Sequence, residues 1–258
     1  MNNKTAIIIG GGRGLGAYLC HHLAQNGYDI AVADINGQSA LNVAAEINAE
    51  GGKAVGYTCD ATNEASVIET FAKIRHDLNN IYLLVYVAGL IKSCKITEFE
   101  LSDFNLCVNV NLTGYFLCAR EAARIMISDG TNGRIIQINS KSGKEGSKFN
   151  SGYSSSKFGG WGLTQSIALD LAPHGITVNS LMIGNLLHSD MFKSLVPSYA
   201  KKLGIPEEDV IPYYRAKTPL KRGCKPSDVA AVLTFYASEG ASYCTGQAIN
   251  VTGGQVMH

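Results

Sequence analysis

"TAIIIGGGRGLG" (5–16) is the stretch that decides the fold. A short run of β-branched and small apolar residues enters a turn with glycines at 10, 14 and 16. That turn opens "LGAYLCHHLAQNG" (15–27), whose apolar residues recur at helical spacing until Gly27 ends them. The run shows no polar alternation, so both of its faces are to be covered. Strand, glycine turn and helix in that order form the first half of a βαβ unit.

The pattern continues outward along the chain. Strands are read at 29–34, 53–60, 81–89, 133–140, 175–183 and 247–251. Helices are read at 39–52, 63–79, 102–128, 153–171 and 227–237. Continuous apolar strands separated by helices imply a parallel sheet covered on both faces, joined by right-handed crossovers. The predicted class is therefore α/β: a single doubly wound parallel-sheet (Rossmann) domain over 1–258. The polar, proline-broken stretch 190–216 is its long excursion, a helical lid insertion that borders the substrate.

Composition agrees. The chain has 258 residues, 46% of them hydrophobic and 17% charged, with a formal net charge of +1, which excludes a generic nucleic-acid or membrane-surface binder. The seven cysteines are scattered, odd in number and form no CxxC pair, the pattern of buried thiols in a reducing cytoplasm. "MNNKTAIIIGGG" passes from polar residues into a run too short to span a membrane, so no signal peptide is read and a cytoplasmic location is expected.

Glycines 10, 14 and 16 let a backbone turn tightly and approach a pyrophosphate, which a helix N-terminus then holds. The spacing is GxxxGxG rather than GxGxxG, and glycine turns also serve packing alone. Its position in the first βαβ unit favours the nucleotide. Asp34 ends the second strand, where a carboxylate accepts from adenosine ribose hydroxyls and repels a 2′-phosphate, favouring NAD over NADP. Arg13 argues the other way, or is a solvated turn residue. Asp60, ending the third strand, faces the adenine or belongs to a helix N-cap; both readings stand.

"GYSSSKFGG" (152–160) places Tyr153 and Lys157 at i and i+4, on one helical face. A phenol alone ionises near pH ~10. A neighbouring ammonium favours the phenolate, so Lys157 is expected to make Tyr153 more acidic and to hold ribose hydroxyls. Ser140 ends the fifth strand and can bring its hydroxyl beside the phenol. Asn111, in "NVNLTGYF", braces the site or orders a relay water. YxxxK alone recurs by chance; the ordered set of glycine turn, Asp, Asn, Ser, Tyr and Lys is what carries the reading.

These residues resemble the short-chain dehydrogenase/reductase family over nearly the whole chain, through "GGGRGLG", "NVNLTG", "RIIQINSKSG", "YSSSK", "GITVNSL", "PLKRG" and "TGQAINVTGG". The resemblance implies a catalytic set of Asn111, Ser140, Tyr153 and Lys157. It implies NAD(P)-dependent oxidation of an alcohol or reduction of a ketone, no metal, and a homotetramer built on the helix of Tyr153 and the long helix before it, with NAD the cofactor that Asp34 favours. It also puts Leu15, Ala61, Ala88 and Gly89 against the cofactor. "INSKSGKEGSKFNSGYSSSKFGG", "GNLLHSDMF" and "NVTGGQVMH" are similar to members acting on a sugar or polyol phosphate. Rivals are another polyol or ketoacyl reductase, and a nucleotide-sensing protein that has lost its chemistry.

The family's threonine before the first glycine is Ile9 here, its "NNAG" is Tyr86-Val87-Ala88-Gly89, and its Pro-Gly after the sixth strand is Ile183-Gly184. Apolar packing between Ile9 and Val87 is expected to replace a polar tie. Lys141, Lys144 and Lys148 follow Ser140 against the single acid Glu145, a local positive field suited to a phosphate or to solubility. Lys141, beside Ser140, is taken with Ser140 and Tyr153 as substrate-binding; His188 and Lys193 are weaker candidates. The basic residues 215, 217, 221 and 222 are read as a structural loop. Trp161 and the glycines 159, 160 and 162 are read as packing positions, and the tail "GGQVMH" as reaching a neighbouring subunit.

Overall fold

The computed structural model describes residues 4–258. Its strands are β1 (Thr5–Ile9), β2 (Asp29–Asp34), β3 (Ala54–Thr58), β4 (Ile81–Tyr86), β5 (Arg134–Ser140), β6 (Thr177–Ile183) and β7 (Ala248–Val251). Between them lie α1 (Gly14–Gln25), α2 (Gly37–Ala49), α3 (Glu64–Leu78), α4 (Leu101–Val108), α5 (Gly114–Ser128), α6 (Ser151–Leu171), α7 (Asp190–Leu203), α8 (Glu207–Lys217) and α9 (Pro226–Ala237). The sheet order is β3-β2-β1-β4-β5-β6-β7, every pairing parallel, as the doubly wound expectation required. The order reverses between β1 and β4, and the crevice beyond the strands' C-terminal ends at that switch point is where such sheets bind ligands.

Alternate residues of the buried strands feed two cores. Ile7 and Ile9 of β1 join Phe71 and Ile74 of α3 and Tyr115 and Ala122 of α5 on one face. Ala6 and Ile8 join Leu19 and Leu23 of α1, Val43 and Ile47 of α2, and Leu233 of α9 on the other. Each fully buried aliphatic side chain contributes roughly 1.5–3 kcal/mol, which fixes the register by period-two alternation. Side-chain caps start several helices: Asn36 accepts from Ser39 N–H, Asn63 from Ser66 N–H and Ser189 from Phe192 N–H. The excursion containing α7 and α8 has a small core of its own, built on Leu187, Phe192, Tyr199, Ala200 and Val210.

Two expectations are corrected. The helix read over 102–128 is two helices joined by a π turn at Asn109–Thr113. Within that turn the Val110 carbonyl accepts from the Tyr86 hydroxyl at 2.5 Å, and Gly114 gives that hydroxyl room: a Cβ there would sit 2.4 Å from it. Ile9 and Val87 do not replace a polar tie by packing together. Their side chains join different cores, and the tie is backbone: Val87 and Ala88 N–H both donate to Ile9 O at 2.9 Å. At the C-terminus His258 O accepts from Lys144 Nζ at 2.7 Å and Asn250 Nδ2 at 3.1 Å of its own chain. Of the packing glycines, Gly160 meets Gln137 and Gly159 meets Leu112, whereas nothing within 4 Å would oppose a Cβ on Gly162.

Candidate active site

The glycine turn after β1 is built for close approach. Gly10 (φ +83°) packs on β4's exit, where a Cβ would meet Ala88 N at 2.8 Å. Gly16 closes the turn onto α1, where a Cβ would fall 1.9 Å from Gly10 O. Gly14 takes φ +55° in open space. Gly10 and Gly16 have no room for a side chain, Gly14 takes a φ that side chains disfavour, and the backbone is left bare at the N-terminus of α1, the geometry an anionic pyrophosphate needs. Leu15 packs into the core behind the turn, and Arg13 is exposed.

Asp34 ends β2 with its carboxylate buried under the turn, accepting from Gly12 N–H at 2.9 Å and Asn36 N–H at 3.0 Å. Each oxygen therefore has one partner and keeps a lone pair. Asp60 accepts from both Thr62 N–H (2.9 Å) and Thr62 Oγ1 (2.7 Å), a local turn before α3 that favours the helix-start reading. Ala61 is buried with its carbonyl packed toward Gly114.

Ser140, Tyr153 and Lys157 meet at the exit of β5. The Ser140 hydroxyl lies beside the Tyr153 phenol and favours its ionised form, and its Oγ accepts from Ser142 N–H at 3.1 Å. Lys157 is 4% exposed; its ammonium lies 5.7 Å from the Tyr153 ring centroid and donates to Ile138 O at 3.4 Å. With a single long hydrogen bond for three N–H groups, it is poised for further acceptors. A Cβ on Gly89 would come within 3.6 Å of the same ammonium, so a glycine keeps this side open.

The electrostatics differ from expectation. Burial raises the Tyr153 phenol above its ordinary value, opposed by the Ser140 hydrogen bond and reinforced by the Cys107 thiol. Burial lowers Lys157 from 10.5 to about 8. The lysine faces the ring and a carbonyl rather than the hydroxyl, so it does not acidify the phenol in this arrangement.

Asn111 sits in the π turn, fully buried. Its Oδ1 accepts from Leu90 N–H (2.9 Å), and its Nδ2 donates to Leu90 O (2.9 Å) and Ser156 Oγ (3.0 Å). Ser156 Oγ in turn donates to Tyr153 O at 2.8 Å. Asn111 is thus a brace from β4's exit loop to the catalytic helix, reaching Tyr153 through Ser156.

Sequence reasoning missed Asn139. Buried beside Ser140, it accepts from Ser140 N–H at 2.8 Å and donates to Lys157 O at 3.0 Å, tying two site residues together. A polar residue inside an apolar strand, next to the candidate serine, was the available signal. Among the basic loop, Lys141 is half-buried and Lys148 exposed. Lys144 instead donates to Ala248 O and His258 O. His188 and Lys193 are exposed, Lys193 with Asp190 at 3.9 Å. Lys202, read only as part of the lid, lies against the loop that carries Lys148.

A short chain dehydrogenase family model matches residues 4–200. The chain is 61% identical over 257 residues to sorbitol-6-phosphate 2-dehydrogenase of Escherichia coli (strain K12), covering 99% of each. It superposes with a TM-score of 0.97 on the crystal structure of sorbitol-6-phosphate 2-dehydrogenase from Erwinia amylovora, at 60% identity, covering 98% of this chain and 100% of that one. An NAD+-bound xylitol dehydrogenase superposes at 0.93 and 28% identity, covering 98% and 99%. Family model, full-length identity and shared architecture agree: the chain belongs to the short-chain dehydrogenase family.

Proposed function

We propose that this protein interconverts D-sorbitol 6-phosphate and D-fructose 6-phosphate, exchanging a hydride between C2 and NAD. The observation that carries the reading is the 61% identity over 257 residues, along 99% of both chains. Gly10, Gly14 and Gly16 hold the dinucleotide's pyrophosphate, Asp34 its adenosine ribose and Lys157 its second ribose, with Leu15, Ala88 and Gly89 beside it. Asp60 and Ala61 border the adenine end. When bound, the cofactor supplies the hydride acceptor or donor.

The chain's own residues handle the proton. Ser140 holds the oxygen on C2. In reduction Tyr153 gives its phenolic proton to that oxygen, and burial, which keeps the phenol protonated at neutral pH, suits it to this role. In oxidation Tyr153 must be a phenolate and takes the hydroxyl proton, so this direction gains with rising pH. Asn111 and Asn139 hold the helix and strand that carry these groups. Lys141, next to Ser140, faces the substrate, and the active form is a homotetramer.

The test is absorbance of the reduced nicotinamide with sorbitol 6-phosphate, sorbitol and xylitol, each with NAD and with NADP. Turnover confined to the phosphate ester and faster with NAD is expected. Equal turnover of unphosphorylated sorbitol contradicts the substrate assignment, and a preference for NADP contradicts the role given to Asp34.

A further inference from the structure

Four lysines from separate parts of the chain act on one another electrostatically. Lys141 leaves β5 next to Ser140, Lys148 lies on the loop before α6, Lys202 is in the last turn of α7 and Lys217 ends α8. Lys202 is mounted rigidly. Its ammonium lies 5.2 Å from the Tyr199 ring centroid and donates to Ser147 Oγ at 3.3 Å. Tyr199 is 7% exposed and wedged between Phe192 (5.8 Å) and Tyr214 (5.4 Å), so the lysine stands on the excursion's own core. Ser147 N–H donates to Ser154 Oγ at 3.2 Å, the residue after Tyr153. The lysine is therefore tied to the start of the catalytic helix.

Lys202 lies within charge–charge range of Lys141, Lys148 and Lys217, and Lys141 within range of Lys217. Among the described residues none of the four forms an ion pair with a carboxylate, and Glu145 is the acid that acts on Lys141. Neighbouring cations are committed elsewhere: Lys144 to the tail, Lys221 to Ala216 O and Arg222 to Asp228. Burial and repulsion from the other three hold Lys202 at about 8. Such a cluster is unfavourable by itself, and a dianion among the ammonium groups relieves it.

We infer that Lys141, Lys148, Lys202 and Lys217 form the cradle for the phosphate of the substrate, with Lys202 and Lys217 contributed by the α7–α8 excursion. This rests on the reading that the substrate is a sugar or polyol phosphate. Lysine suits a terminal phosphate as a point charge that needs no planar fit.

The experiment compares wild type with Lys202→Ala, Lys202→Arg, Lys217→Ala and, as a control outside the cradle, Lys144→Ala. Fructose 6-phosphate KM, NADH KM and inhibition by inorganic phosphate are measured, and phosphate binding is titrated at saturating NADH so that the glycine turn is filled. Lys202→Ala and Lys217→Ala should each raise the fructose 6-phosphate KM and the phosphate inhibition constant about tenfold, the equivalent of one lost charge contact. NADH KM should stay unchanged, Lys202→Arg should recover most of the loss, and Lys144→Ala should match wild type. Unchanged KM and phosphate inhibition in both alanine variants overturns the cradle while leaving the substrate reading intact. Failure of wild-type phosphate to compete with fructose 6-phosphate overturns it even if a variant does not fold. Absence of fructose 6-phosphate turnover, with phosphate binding that Lys202→Ala abolishes, removes the substrate reading and keeps the cradle.

Discussion

Lys157 is the residue whose surroundings say most. Its ammonium is buried with one carbonyl at 3.4 Å, and burial lowers it from 10.5 to about 8. Between those values the unfolded chain binds more protons than the folded one, so this group's contribution to stability rises with pH across that window. Below about 8 the fold bears a charged, desolvated lysine, a penalty on the order of 3 kcal/mol. Lys157→Met should therefore be more stable than wild type at pH 7 in urea unfolding, and the difference should shrink as pH approaches 10.5. A pH-independent difference contradicts the assignment. At this scale the identities were legible, because Ser140, Tyr153 and Lys157 stand in a recurring order. The direction of the phenol's shift was not. An i,i+4 spacing says that two side chains share a face, but not that the ammonium turns to the ring and Ile138 O. Asn139 was missed for the same reason: its value lies in two backbone partners that only the folded register brings together.

At the scale of elements, strand identities and most helix limits follow from apolar periodicity and glycine punctuation, and β2 matches its reading at both ends. The break in the helix read over 102–128 was invisible because a π turn changes hydrogen bonding without needing proline or glycine inside it. Tyr86 donates to the Val110 carbonyl within the turn, from which Asn111 reaches Leu90 and Ser156. Tyr86→Phe should remove the hydrogen bond to Val110 O and destabilise the protein by about 0.5–1.5 kcal/mol. Urea unfolding checks this, and an undiminished midpoint contradicts it.

Across the whole molecule, the reversal of strand order between β1 and β4 gathers the glycine turn, Asp34, Gly89 and the β5 exit at one sheet edge, although they are spread along the chain. The pattern of βαβ units made that much readable before any coordinate. Assembly is a different matter, because a solitary sequence does not show which apolar residues stay exposed. Phe116 on α5 and Phe158 on α6 are 41% and 40% exposed, on the helices that the resemblance assigns to subunit contact. Phe158→Glu should lower the mass in sedimentation equilibrium below that of a tetramer, and an unchanged mass contradicts the proposed interface. The central claim is that the phenol of Tyr153 moves the proton while the rest of the site binds. The most direct measurement is Tyr153→Phe, with fructose 6-phosphate turnover and NADH affinity determined on the same preparation. The expected result is a kcat at least ~10²-fold lower with NADH affinity within about twofold of wild type. Turnover close to wild type would contradict it.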